Sequence, residues 1–78
     1  VNVWPWPNSI AIEEQAANSA APAWHVVRQW CYLGSAASLK KAKTLADASA
    51  SFDVDSYRIL NRFLRSPEQH GLTVIPLG

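Results

Sequence analysis

The chain has 78 residues (1–78), enough for one small domain but too few for two domains or for a large catalytic cleft. Hydrophobic residues make up 49% of the sequence and charged residues only 17%, whereas soluble domains average about 25% charged residues, so the surface is short of charge. The net charge of +1 argues against a strongly basic coat for nucleic acid, the single cysteine excludes an intrachain disulfide, and no apolar run reaches the roughly 18 residues of a membrane span.

The basic residues are unevenly distributed, since all of them except Arg28 lie between Lys40 and Arg65. The chain begins with Val1 and contains no methionine, so we expect it to be an excised or processed piece of a longer protein. A lone cysteine fits reducing and oxidising surroundings equally well, and the composition therefore specifies no compartment.

Residues 1–8 are predicted to form an extended aromatic arm. In the run Trp4-Pro5-Trp6-Pro7, each proline fixes φ, removes a backbone N–H and pushes the preceding residue toward extended geometry. Burial of one large apolar side chain stabilises a contact by roughly 1.5 to 3 kcal/mol, so two indoles on a stiff arm favour docking on another surface.

Residues 9–65 are predicted to form four short helices, of which the first two lie N-terminal to Gly34. The first runs from Ile10 to Ala20, after a cap at Asn8 or Ser9. The second runs from Ala23 to about Leu33, because apolar residues recur at i, i+3, i+4, i+7 and i+8. These apolar residues are Ala23, Val26, Val27, Trp30 and Cys31.

The third and fourth helices follow Gly34. The third is predicted over residues 36–48 with Ser35 as its cap, and its inward residues at spacings of three and four are Leu39, Ala42, Leu45 and Ala46. The fourth is predicted over residues 54–65, with Asp53 as N-cap and a hydrophobic staple between Phe52 and Tyr57.

Residues 66–78 are predicted to form a turn and an extended tail. Glu68 to His70 make one helical turn closed by Gly71, and the β-branched segment Leu72–Ile75 is extended. This segment is expected to pair with the N-terminal arm, to pack across the helices or to add to a sheet of another chain. The fold class is therefore predicted as all-α, a bundle of four short helices with an extended Trp/Pro arm and a short extended C-terminal segment.

Few residues in the sequence are of the types that form catalytic or metal sites. His25 and Cys31 are six residues apart, about 240° around a helix, so they cannot chelate one ion from one helix. A nucleophilic pair of Cys31 and His70 stays open, but the apolar stripe favours Cys31 as a small buried hydrophobe. We predict no enzymatic activity, no catalytic or metal-ligating residue and no cofactor.

Protein binding is the function predicted for the chain. Low charge, extended ends and more tryptophan than a short core requires favour a non-enzymatic interaction or assembly module, bound to another protein or to a second copy of itself and not to a membrane. The predicted contact residues are Trp4, Trp6, Trp24, Tyr32 and Val74.

Nucleic-acid binding is the alternative. Three arginines share one face of the fourth helix and could bind phosphates bidentately: Arg58, Arg62 and Arg65. Three lysines of the third helix would add to them if the two helices lie side by side: Lys40, Lys41 and Lys43. The small net charge and the long turn between the two helices favour protein binding over this alternative.

Overall fold

An antiparallel sheet with one helix on each face forms an α+β fold in the computed structural model, which describes residues 2–14 and 23–78. Within these residues the sheet has four strands in the order β3-β2-β1-β4. The strands are β1 (Ile10–Glu14), β2 (Ala23–Arg28), β3 (Cys31–Ala36) and β4 (Thr73–Pro76). The helices are α1 (Leu39–Leu45) and α2 (Val54–Leu64), with a short 3-10 helix over Pro67–His70.

The central strand β1 determines where the two helices lie. Its successive side chains point to opposite faces of the sheet, as in any pleated strand. Ile10 and Ile12 share a core with Leu64 of α2, whereas Ala11 shares a second core with Ala42 of α1. The sheet is thus covered on both faces, and α1 and α2 are separated by it.

The predicted all-α bundle is wrong, and the second predicted helix shows why. Residues 23–33 form a β-hairpin whose turn consists of Gln29 and Trp30, with φ angles of 49° and 65°. Val26 and Val27 are both fully buried, one in each core, because β2 is covered on both sides. Burial on two faces removes the alternation that identifies a strand, and the remaining apolar spacing resembles that of a helix.

The first predicted helix is wrong over the part that the structure describes. Ile10–Glu14 form β1, which pairs with β2 on one side and with β4 on the other, and the rest of the predicted helix lies outside the described residues. Ser9, expected as a helix cap, is buried and its hydroxyl donates to the carbonyl of Ala46, 2.9 Å away.

The helical predictions C-terminal to Gly34 fare better. The third helix exists but is shorter, and its cap is Ser38, whose hydroxyl accepts a hydrogen bond from the Lys41 amide. The fourth helix and its Asp53 cap are confirmed, and so is the single turn closed by Gly71 at φ 67°. The extended tail is also confirmed, and its partner is β1 within the same chain.

The aromatic arm docks on its own domain. The Trp4 indole contacts Trp6 and Trp30 edge to face, with ring centroids 4.9 and 5.1 Å apart, and only 7% of Trp4 is exposed. The backbone carbonyl of Asn2 accepts a hydrogen bond from Trp30 Nε1, and the backbone N–H of Asn2 donates to the Tyr57 hydroxyl. Trp4 and Trp6, both predicted to bind a partner, therefore help to close the core on the α2 side of the sheet.

Candidate functional site

Three arginines form a continuous basic surface on the outer side of α2. Arg58, Arg62 and Arg65 lie at i, i+4 and i+7 and are all exposed, so they extend over about 10 Å along the helix at 1.5 Å per residue. They face outward because Leu60 and Leu64, on the opposite side of the helix, pack into the core. We call this surface the arginine face.

The arginine face borders an open polar pocket of about 390 Å³, to which Asn61, Gln69 and His70 also contribute. Within the described residues, no carboxylate lies within ion-pair distance of the three guanidinium groups. A cluster of like charges that is not neutralised by the protein is suited to bind an anion with several charges.

Arg28, by contrast, has a structural role. Its guanidinium donates to the carbonyls of Ala46 and Ala48 at the C-terminal end of α1. A cation at this end of a helix complements both the free carbonyls and the macrodipole. The guanidinium of Arg28 is therefore engaged within the domain.

The three lysines are also exposed, but they lie on a different side of the molecule. Lys40, Lys41 and Lys43 belong to α1, which covers the face of the sheet opposite to α2. We call them the lysine face. The two helices do not lie side by side, so the lysines cannot extend the arginine face into one larger basic surface.

An apolar groove opens between α2 and the sheet, beside the arginine face. It has a volume of about 330 Å³, and its walls come from both elements. The main wall residues are Ile12, Val27, Ile59, Leu60, Phe63 and Leu72. Ile59 is 56% exposed and Phe63 is 38% exposed, so the groove presents apolar surface to solvent.

A chain of three hydrogen-bonded polar side chains follows the rim of this groove. His25 Nε2 lies 2.6 Å from Glu14 Oε2, and His25 Nδ1 lies 2.9 Å from the Tyr32 hydroxyl. A carboxylate only accepts hydrogen bonds, so Nε2 carries a proton, and in the neutral ring Nδ1 accepts from Tyr32. The groove thus combines apolar walls with a polar, hydrogen-bonding edge.

Sequence reasoning missed this polar rim. The sequence places Glu14 within the first predicted helix and His25 in the second, where it is considered only as a metal ligand. In the sheet, His25 pairs with Ile12, two residues before Glu14, and Tyr32 faces Val27 across the hairpin. Only the strand register brings the three side chains together. Their proximity can be inferred from the sequence only if residues 10–14 and 23–28 are predicted as paired strands.

The residues predicted to bind a protein partner are scattered through the fold. Trp4 and Trp24 are buried in the two separate cores, at 7% and 8% exposure, and Trp6 is half-buried beside Trp4. Val74 is half-buried in β4, which pairs with β1 along one edge. Tyr32 is 45% exposed and lies at the groove.

The candidate nucleophilic pair does not form. Cys31 begins β3, and its thiol donates to the carbonyl of Gln29 at 3.6 Å. His70 packs edge to face against Phe63, with ring centroids 5.0 Å apart. In the described part of the chain, no group of three His, Cys, Asp or Glu side chains is placed to share a metal ion, and none of its helices is long and apolar enough to cross a bilayer.

The fold and the site define a small α+β domain with an unneutralised basic helix face. Residues 9–78 match the family described as the excinuclease Cho C-terminal domain, and the chain belongs to that family. Among the curated relatives, excinuclease cho from a strain of Escherichia coli is 41% identical over 63 residues, covering 81% of this chain and 21% of the relative.

Further relatives show the same partial coverage. The proteins of the same name from Shigella flexneri and Salmonella typhi are each 38% identical over 63 residues, again covering 81% of this chain and 21% of the relative. The chain thus spans about a fifth of the length of the curated relatives that it matches. No solved structure matches the chain.

The family overturns the predicted function. A non-enzymatic assembly module is wrong, because the matching family is a domain of an excinuclease, an enzyme named for cutting nucleic acid. The prediction of no enzymatic activity is likewise not supported, since the chain belongs to a family described as a domain of an excinuclease. These findings favour the alternative, nucleic-acid binding, over the protein-binding interpretation.

Proposed function

We propose that this domain binds DNA through the arginine face of α2 and so helps to hold the substrate of an excision nuclease. The observation that carries the proposal is the set of three exposed arginines for which the described residues provide no carboxylate partner. The relatives are named as excinucleases, and the chain matches about a fifth of their length. The cutting reaction is therefore proposed for the longer protein of which such a domain is a part, and this domain is proposed to contact the DNA.

Arginine is well suited to this role. Its planar guanidinium binds a phosphate through two parallel hydrogen bonds and stays charged at any physiological pH. Three guanidinium groups spread over about 10 Å of helix can reach two or three successive phosphates of one DNA strand. The phosphates of one strand follow one another about every 3.4 Å when measured along the axis of the duplex. Contacts of this kind position the domain on DNA without reading its sequence.

The chain offers a matched control for this proposal. Replacing the arginine face (Arg58→Ala, Arg62→Ala, Arg65→Ala) removes three positive charges, and replacing the lysine face (Lys40→Ala, Lys41→Ala, Lys43→Ala) removes the same number from the other side of the sheet. Both sets are exposed, and exposed substitutions usually change the free energy of unfolding by less than about 0.5 kcal/mol each. A difference in DNA affinity between the two variants therefore depends on where the charges were removed, because the net charge of the two variants is the same.

The measurement is equilibrium binding of a fluorescently labelled DNA duplex over a series of KCl concentrations. We expect the arginine variant to lose most of its affinity, and the slope of log K against log salt to flatten by about 3 × 0.9, or roughly 2.7. The lysine variant should keep nearly the full slope. Equal losses in both variants, or no salt-dependent binding by the unsubstituted chain, would contradict the proposal.

A further inference from the structure

The arginine face and the apolar groove are adjacent surfaces beside one helix, α2. We propose that the groove receives one unstacked nucleobase of the strand whose phosphates bind the arginine face. This inference rests on the proposed function and adds a substrate class to it: nucleic acid with an unpaired or extruded base, in preference to a fully paired duplex.

Proximity supports this assignment. Ile59 on the groove wall and Arg62 on the arginine face are three residues apart and are therefore neighbours on the surface of α2. Further along the helix, the Phe63 ring on the groove wall contacts the ring of His70, which lines the polar pocket of the arginines. A nucleotide bound to these arginines by its phosphate thus has its base within reach of the groove.

The chemistry of the groove matches that of a base. A nucleobase has two flat apolar faces and an edge of hydrogen-bond donors and acceptors, and proteins hold unstacked bases between aromatic or apolar side chains. Phe63 and Ile59 supply exposed apolar surface, and Tyr32 and Glu14 place a hydroxyl and a carboxylate at the rim. A carboxylate accepts hydrogen bonds from exocyclic amino groups such as N4 of cytosine.

Size and charge argue against a second copy of this chain in the groove. A volume of about 330 Å³ lies at the lower end of the range for small-ligand sites, roughly 300 to 1,000 Å³. A symmetric dimer formed through the groove would use the same surface of both copies, so it would bring two arginine faces toward each other. Like charges opposed in this way weaken association, whereas the same charges attract a phosphate backbone.

The test compares two DNA duplexes that differ by one unpaired base. One duplex is fully matched, and the other carries a single bulged 2-aminopurine, whose fluorescence falls when it stacks on an aromatic ring. We expect the chain to bind the bulged duplex about tenfold more tightly or better, the equivalent of one stacked base, and to quench its fluorescence. Phe63→Ala and Ile59→Ala should each reduce this preference and the quenching while leaving affinity for the matched duplex unchanged.

Ile59→Ala keeps the test valid if Phe63→Ala fails to fold, because more than half of Ile59 is exposed. Val54→Ala is the matched control, since Val54 is 52% exposed on the same helix and does not line the groove, and it should change neither quantity. Equal affinity for the two duplexes would overturn the inference, and so would a preference that survives both groove variants. The inference would also be overturned if analytical ultracentrifugation showed that the unsubstituted chain is a dimer and that either groove variant is a monomer.

The two proposals fail in different ways. Binding that depends on the arginine face but shows no preference for an unpaired base contradicts the groove assignment alone. Loss of all dependence on the arginine face contradicts the proposed function, whatever the groove does.

Discussion

Trp30 occupies a backbone conformation that aromatic residues rarely adopt. Its φ is 65°, and that of Gln29 before it is 49°, which together give the left-handed turn of a tight hairpin. Each non-glycine residue in this region costs roughly 1 to 2 kcal/mol. The cost is offset by tertiary contacts, since Trp30 is only 4% exposed, and its indole donates to the Asn2 carbonyl at 2.8 Å and packs edge to face on Trp4 and Tyr57.

Gln29 has no such compensation, because its side chain is exposed. Gln29→Gly should therefore raise the free energy of unfolding by about 0.5 to 1 kcal/mol, since glycine adopts the same φ without strain but is more flexible in the unfolded chain. Urea unfolding followed by tryptophan fluorescence measures the change. Gln69→Gly, the same substitution at an exposed position with negative φ, should lower stability instead, and a similar loss at both positions would disprove the strain at Gln29.

At the scale of elements, α2 is the segment whose structure follows most directly from local signals. Asp53 accepts hydrogen bonds from the hydroxyl and the amide of Ser56, at 2.8 and 2.9 Å. Phe52 packs against Tyr57, with ring centroids 5.8 Å apart, as the predicted staple requires. Cap, staple and apolar stripe all lie within about three turns of chain, so the helix that carries the arginine face could be predicted from its own residues.

The cap makes part of this helix's stability depend on pH. The Ser56 hydroxyl, and then its amide, stabilise the ionised carboxylate and hold the pKa of Asp53 below its ordinary value of 3.8. A lowered pKa in the folded state contributes stability that is complete above 3.8 and is lost as the pH falls through the folded value. Asp53→Asn keeps a capping side chain but cannot ionise.

We therefore expect the melting temperature of the unsubstituted chain to exceed that of Asp53→Asn at pH 7, and the difference to shrink as the pH falls below about 4. Circular dichroism melts at several pH values measure it. Ser56→Ala removes the hydroxyl, whose hydrogen bond lowers the pKa of Asp53 more than that of the amide does. The substitution should therefore raise the pKa of Asp53 toward its ordinary value, as measured by an NMR titration. A melting difference that does not vary with pH would show that the charge of Asp53 adds nothing to the cap.

For the whole molecule, the decisive pairing joins the two ends of the chain. Ile12 of β1 faces Val74 of β4, and β4 contributes Val74 to the α2-side core and Ile75 to the α1-side core. The sheet and both cores are therefore complete only when β4 pairs with β1. Pro76 ends β4 on the outer edge of the sheet, where its missing N–H costs no ladder hydrogen bond.

Truncation after Leu72 should consequently unfold the domain. It removes three partly buried apolar side chains, Val74, Ile75 and Leu77, and a loss of about 1 to 2 kcal/mol for each partly buried side chain approaches the 5 to 15 kcal/mol that stabilises a whole domain. Circular dichroism and urea unfolding of the shortened chain measure the effect. Thr73→Ala, at an exposed position of the same strand, should change stability by less than about 0.5 kcal/mol. Cooperative unfolding of the truncated chain would contradict the role of β4.

The sequence by itself determined α2, its cap, the turn at Gly71, the extended tail and the arginine face, because each depends on interactions between residues a few positions apart. Only the tertiary structure decided that residues 10–14, 23–28 and 31–36 are strands, since burial on both faces of β1 and β2 removed the alternation that marks a strand. It also separated the lysines from the arginines and joined Glu14, His25 and Tyr32 at the groove. These arrangements depend on strand register and on which face each helix covers, and both are set by contacts between distant parts of the chain.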